Sequence, residues 1–460
     1  MQLDCKMSKM NCIVIFDIGK TNKKLLVFND SYQVIHEQST QFEEIHDEEG
    51  FPTEDVALLE AWLKQSFLEV LSNDSWQVKA LNFSGYGASI VNINTNGKVV
   101  GYLKNYLKPV QQELFDLFFQ KYGPSTDIAR ITCSPVLGNL NSGYQVYEER
   151  HNTNWNSITS VLHFPNYLSY LFHGERVAEM TSIGCHTMLW NFDSNEYHEW
   201  VEKESIFAKL PVIEAGTCTF PALHHPNIQV GLGLHDSSAA LVPYIRQFKE
   251  PFILISTGTW CISMNPFNHS PLTSEELEND VLAYMQLDGK PVKASRLFAG
   301  NEHEIMLKKL NEHFQVDPKF YKSIQFDQQT AQLFEQKLIS EKQKIRNLHF
   351  LKASDFLSKD LNSYATIELA YQDFVTDLVI QLMYSLQWVY QGEACKILVD
   401  GGFSKNDIFM NCLAIAFPSS EVFGAEVAQA SSLGAALAIH ESWNEQEVPA
   451  DLIQLIRYLG

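Results

Sequence analysis

The chain reads as an α/β protein built from two copies of one design, with a ligand-binding cleft expected between the copies. Three observations predict this. A buried strand, a glycine turn and a return strand open the chain at residues 12–29 and recur at 252–264, the kind of internal repetition that marks a duplicated fold. Strand-to-helix junctions relieved by glycine stand at 230–241 and 395–414. At 460 residues the chain is too long for one ordinary core. Pro243 and Lys249-Glu250-Pro251 interrupt the pattern, so the expected domains are 10–245 and 246–445, with a tail over 446–460. Gaps between paired copies are common places for ligands.

Composition narrows the classes of function. Hydrophobic residues make up 45% and charged residues 19%, the profile of a folded chain. Asp and Glu number 55 against 34 Lys and Arg, a net charge of -21. Such a surface repels a phosphate backbone, so no nucleic-acid partner is expected. Nucleotides stay open, because backbone amides and a metal ion hold them more than bulk charge does. The eight cysteines include no C-x-x-C pair and read as thiols in a reducing compartment. The polar start MQLDCKMSKM and the short apolar run behind it lack a signal pattern. No stretch has the length of a membrane span. The expectation is a cytoplasmic protein with no membrane partner.

Taken in order, CIVIFDI (12–18) is a buried strand closed by Gly19-Lys20-Thr21-Asn22, and Leu25 to Phe28 form the return strand. Lys23 and Lys24 put positive charge beside bare backbone N–H groups, a phosphate seat or simply a solvated hairpin. Residues 54–71 form an amphipathic helix with Thr53 as N-cap and Glu54 and Asp55 in the first turn. In ALNFSGYGASIVNIN (80–94), Gly85 and Gly87 allow close backbone approach around Tyr86. Residues 108–190 read as mostly helical, and the cluster Glu43 to Glu49 as a solvated loop. Glu179 to Thr187 is a polar loop whose hydroxyls, acid and histidine suit a polyhydroxylated ligand, or solvent equally well.

VGLGLHDSSAAL (230–241) then reads strand, glycine turn, helix. Asp236 at that junction is a base facing a ligand or, more simply, an N-cap. Residues 366–391 are a deeply packed helix, apolar nearly all round. CKILVDGGFSKND (395–407) is a strand, a Gly401-Gly402 turn and a helix start near Ser404 to Asn406. Ala430-Ser431-Ser432-Leu433-Gly434-Ala435-Ala436 is a small-residue helix read as packing, not chemistry.

FDIGKTNKKLLVFN, FSGYGAS, LHDSSAAL, ISTGTW and VDGGFSKN, in that order, resemble the FGGY carbohydrate kinases of the actin-like, ribonuclease-H-like ATPase superfamily. The resemblance implies two domains of that fold, with ATP and Mg²⁺ as cofactors and a sugar as substrate. It implies that Asp17 holds Mg²⁺ and that Gly19, Lys20, Thr21, Asn22 and Lys24 surround the nucleotide phosphates. Thr257, Gly258 and Thr259 would form a second phosphate hairpin, and Gly401, Gly402 and Asn406 would flank the adenosine. Asp236 would be the general base. Gly85, Tyr86, Gly87, Thr181, Ser182, His186 and His235 would contact sugar.

Three departures carry information. Lys20 stands where the family usually has a hydroxyl residue, and the G-Q-x-H-G sequence of xylulose kinases and the arginine-glutamate pattern of glycerol kinases are absent. The Gly-aromatic-Gly loop and the His-Asp-Ser sequence look closer to rhamnulose and fuculose kinases, which favours a 6-deoxy-ketohexose. Another ketose or polyol, of the xylulose, ribulose or glycerol type, is the second choice. A reading of another class is a nucleotide-switched interaction protein. Closure on binding sugar, and a homodimer, complete the expectations.

Overall fold

The computed structural model describes residues 9–343, 354–392 and 395–460; Cys5 and most of the polar start lie outside them. Two compact units are present. The first combines Met1–Arg246, Ala283–Pro291 and Ala428–Leu452, and the second Gln247–Leu282, Val292–Val427 and Ile453–Gly460. The chain therefore changes unit after Arg246 but returns twice, which differs from two contiguous domains and a tail. No helix among the described residues is long and apolar enough to cross a membrane, and no disulfide links the described cysteines.

The first unit is organised by one sheet. Its strands are β1 (Met10–Ile18), β2 (Lys23–Asn29), β3 (Val34–Thr40), β4 (Trp76–Gly85), β5 (Thr219–Ala222), β6 (His225–Gly231) and β7 (Leu234–His235). The order is β5-β6-β4-β1-β2-β3, with β7 also paired to β4. β1 runs antiparallel to β2 and parallel to β4. A parallel centre covered on both faces explains why β1 reads as a near-continuous apolar run, and the antiparallel β2 beside it is covered nearly as fully. Val14, Phe16, Leu25 and Val27 pack with Leu59, Leu63 and Phe67 of the helix Val56–Leu71.

The second unit repeats this plan. Its strands are β8 (Phe252–Thr257), β9 (Cys261–Asn265), β10 (Val281–Met285), β11 (Pro291–Leu297), β12 (Lys396–Gly401), β13 (Glu421–Glu426) and β14 (Gln454–Tyr458). They run in the order β10-β11-β9-β8-β12-β13-β14. β8 is antiparallel to β9 and parallel to β12. The repetition extends to register: Ile18 of β1 lies opposite Gly85 of β4, and Thr257 of β8 lies opposite Gly401 of β12. The hairpin glycines 19 and 258 thus stand at equivalent places, one residue past these pairs.

Several local expectations are corrected. The first helix starts at Val56, capped by Asp55, whose side chain accepts from Leu58 N at 2.9 Å. Glu54 is withdrawn from that turn because it is buried against the Lys23 ammonium at 2.9 Å. Within 108–190, the strand Ser160–His163 pairs with Ile90–Ile93, so apolar content there was not all helical. Pro243 does not end its helix, which runs from Asp236 to Gln247. The expected solvated cluster is partly paired: Glu44 meets Lys20 at 2.6 Å and Asp47 meets Lys108 at 2.5 Å. The expected tail includes β14, a strand of the second sheet.

Candidate active site

Strand register assembles the site in the first unit. Asp17 lies opposite Ser84 of β4, and Ser84 lies opposite Leu234 of β7; one residue on, Ile18, Gly85 and His235 form the next row. Adjacent strands are ~4.8 Å apart, so β1 and β7 are separated by roughly 10 Å. These three strands are parallel and end together, and carboxyl ends of parallel strands are where α/β sheets place ligands. Asp236 follows His235 directly and opens the helix Asp236–Gln247.

Asp236 is the first residue of its helix, and its Oδ1 accepts only from the next residue, from Ser237 N at 2.6 Å and from the Ser237 hydroxyl at 3.2 Å. The same oxygen lies 3.2 Å from His235 Nε2. These contacts crowd onto Oδ1, and Oδ2 is the oxygen left for a ligand. The side chain is 37% exposed, whereas His235 before it is buried.

His235 is enclosed. Its backbone N donates to Thr181 Oγ1 at 3.0 Å, its Nε2 lies 3.1 Å from Cys185 Sγ, and its ring stacks on Tyr284 at 5.6 Å. Burial pushes its pKa down, and the Asp236 charge only partly opposes this. A neutral ring carries one proton. Nε2 has Asp236 Oδ1 at 3.2 Å and Cys185 Sγ at 3.1 Å beside it; a proton on Nδ1, which is buried without a partner, would be an unmade donor costing about 1–3 kcal/mol. The Nε2–H tautomer is favoured. Burial drives the Cys185 thiol well above its ordinary value, with the Asp236 and Glu179 charges adding to it, so Cys185 packs here as a neutral thiol.

The segment expected to be a polar loop at 179–187 begins with a helical turn, Met180–Ile183. Glu179 is fully buried and caps it, accepting from Thr181 N at 2.7 Å and Ser182 N at 2.8 Å. Thr181 and Ser182 are buried too, so Thr181 supports His235 from behind. His186, at φ +53, lies edge-on to Tyr284 with ring centroids 5.2 Å apart. A Cβ on Gly87 would fall 2.6 Å from Cys185 Sγ and 2.9 Å from the His235 ring, which explains glycine at that position. Tyr86 packs on Phe164 at 4.6 Å and faces Tyr106 at 6.1 Å. Burial, then the charges of Asp236, Glu54 and Glu44, raise the Tyr106 pKa.

The Asp17 carboxylate accepts from the Ser431 hydroxyl at 2.7 Å and the Ser432 hydroxyl at 3.0 Å, both on Oδ2. Burial raises its pKa most; Ser431 lowers it, Asp236 raises it further, and Ser432 and then Ser84 lower it. The hairpin cations already have partners. Lys20 meets Glu44, Lys23 meets Glu54 and the Lys20 carbonyl, and Lys24 donates to Gln429 Oε1 at 2.9 Å. Gly19 N is taken by Asn22 O at 3.0 Å, closing the turn Gly19-Lys20-Thr21-Asn22.

In the second unit, Thr257 ties two turns together: its hydroxyl donates to Asp400 O at 2.5 Å and accepts from Phe403 N at 3.0 Å. Gly401, at φ +89, would put a Cβ 2.0 Å from Thr257 O, so only glycine fits. A Cβ on Gly258 would meet nothing within 4 Å; this turn has an open face. Thr259 O accepts Asn301 N at 3.1 Å. Gly402 follows Gly401 into the short helix Gly402–Lys405. Asn406 caps the next helix through Phe409 N at 3.0 Å and donates to Tyr371 Oη at 2.7 Å.

Sequence reasoning missed Ser431 and Ser432, Cys185, Tyr106 and Tyr284. The serines sit inside a stretch whose small residues spoke only of packing. Tyr284 belongs to a return segment, Ala283–Pro291, that no local pattern assigns to the first unit.

Two sheets with one plan define the actin-like ATPase class of fold. Residues 12–235 match the FGGY family of carbohydrate kinases, N-terminal domain, and residues 249–447 match carbohydrate kinase FGGY, C-terminal domain. The chain belongs to the FGGY family of carbohydrate kinases. It is similar in structure to a carbohydrate kinase from Novosphingobium aromaticivorans (TM-score 0.78, 21% identity, covering 97% of this chain and 96% of that one). A ligand-bound xylulose kinase from Lactobacillus acidophilus gives 0.74 at 14% identity, covering 98% and 94%. A Plasmodium falciparum glycerol kinase with ADP gives 0.72 at 15%, covering 95% and 90%. No curated protein sequence matches the chain.

Proposed function

We propose that this chain transfers the γ-phosphate of ATP to a hydroxyl of a ketose, with Asp236 as general base. The observation that carries the reading is the division of labour within one carboxylate: Oδ1 is held by Ser237 and His235, and Oδ2 is left to accept a proton. Phosphoryl transfer asks the protein for positioning and charge neutralisation more than covalent chemistry. His235 and Ser237 orient the base, and the partly exposed ring of Tyr106, backed by the buried rings of Tyr86 and Phe164, offers surface to the carbon skeleton. The glycine-relieved turns at 19–22 and 257–259 present backbone to phosphates, with Lys24 and Asp17 beside the first. Gly401, Gly402 and Asn406 are assigned to the adenosine side.

The metal fits the residues present. Among the described residues no group of three or more His, Cys, Asp or Glu could cage an ion. Mg²⁺ is commonly held by one or two carboxylates plus substrate phosphates, and Asp17, whose buried charge is raised in energy by Asp236, supplies that kind of site. When bound, Mg²⁺ would neutralise charge on the transferring phosphoryl group. Within the ketoses, a 6-deoxy-ketohexose such as L-rhamnulose or L-fuculose is favoured by Gly85-Tyr86-Gly87 and His235-Asp236-Ser237; a methyl terminus suits the aromatic walls.

Asp236→Asn keeps the shape and the Oδ1 contacts but removes the basic oxygen. Turnover is expected to fall by about 10²–10⁴-fold while sugar and ATP dissociation constants, measured by calorimetry, stay within about threefold. Turnover within a few-fold of wild type would remove Asp236 from the role.

A further inference from the structure

We infer that Ser431 and Ser432 are positioning residues that aim Asp17 at the metal ion; the inference rests on the reading of Asp17 as its ligand. The two serines arrive from the far end of the chain, on the first turn of the helix Ala430–Ala438. Each hydroxyl has one proton to donate, and both are spent on Asp17 Oδ2, at 2.7 and 3.0 Å. Two donors on one oxygen fix the carboxylate's rotation and leave Oδ1, with the Ser84 hydroxyl of the paired strand beside the carboxylate, as the oxygen offered to a cation. Packing does not explain the hydroxyls. Along the rest of this helix close contact is made by glycine and alanine, and Ala in place of either serine would fill nearly the same space.

The residue just before this helix extends the argument. Gln429 holds a left-handed backbone, φ +56, a conformation that non-glycine residues seldom adopt. In that pose its Oε1 accepts Lys24 Nζ at 2.9 Å and its Nε2 donates to Glu37 at 3.2 Å. Lys24 is the strand partner of Asp17 across β1 and β2. Residues 429–432 therefore grip both charged side chains of that pair at once, one through an amide and one through two hydroxyls. Outer partners of this kind set the orientation of a metal's carboxylate.

The test measures metal retention directly. Mn²⁺ replaces Mg²⁺, AMP-PNP replaces ATP, and free Mn²⁺ is read by electron paramagnetic resonance. The Ser431→Ala/Ser432→Ala protein is expected to hold Mn²⁺ about tenfold more weakly than wild type, with sugar affinity unchanged by calorimetry. Ser432→Thr, which keeps the hydroxyl, should restore most of the binding in the Ser431 background. If the double variant does not fold, Ser431→Ala alone, at the less buried position, is expected to lose about threefold, a part of the pair's effect. Wild-type Mn²⁺ affinity in the serine variants alongside lost affinity in Asp17→Asn overturns the inference. Wild-type affinity in Asp17→Asn itself overturns the reading of Asp17 instead.

Discussion

His163 and His173 show how single buried side chains set the response to pH. Burial brings each from 6.5 to about 4, so both are neutral in the folded protein. Their contribution is fully present above pH 6.5 and is lost as pH falls through that value toward 4, because the unfolded chain takes up the proton first. A shift of this size corresponds to at most about 3 kcal/mol per group. Asp17, raised by burial and Asp236, has the opposite sign: its contribution is present below the ordinary carboxylate range and is lost as pH rises through its folded value. Stability measured in urea should fall steeply from pH 6.5 to 4, and His163→Leu should flatten that slope. A midpoint independent of pH over the interval contradicts the assignment. At this scale the sequence was informative where a residue's type and its neighbours in the chain agree, as at Asn406, which caps the helix expected to start there. It was silent where the partner comes from elsewhere: nothing near Lys23 announces Glu54, and nothing near Asp17 announces Ser431.

Among the elements, the helix Ala430–Ala438 and the helix Asp236–Gln247 depend on each other. Pro243 has no N–H, so the Ala239 carbonyl receives no bond from it within its helix. Gly434 packs against that carbonyl so closely that a Cβ would fall 1.7 Å from its oxygen. Gly434→Val should cost about 2–4 kcal/mol and lower the melting temperature by several degrees, since the obstacle is backbone and cannot turn aside. An unchanged melting temperature would show that the helices can separate at no cost. The hairpins, the packed helix Ile367–Leu386 and the strand-glycine-helix junctions were all legible from periodicity and glycine placement. Helix starts were less so: Thr53 and Asp55 are both good caps, and the choice fell to Asp55 because Glu54 was needed by Lys23. The turn at Met180–Ile183 was hidden because four residues give no period to read.

For the whole molecule, the duplicated plan seen in the matching registers of β1 with β4 and β8 with β12 was foreshadowed by two glycine hairpins alone. The interleaving of the units was not, since a small-residue helix near residue 430 carries no mark of the sheet it will join. The fold and the family support one central claim: ATP is spent on a sugar, not on a nucleotide-driven switch. Release of ADP from MgATP, followed with and without a panel of ketoses and polyols, tests it most directly. The account predicts turnover at least about 10²-fold above the sugar-free rate with one ketose, 6-deoxy-ketohexoses ranking first; an ATP hydrolysis rate that no sugar alters would contradict it.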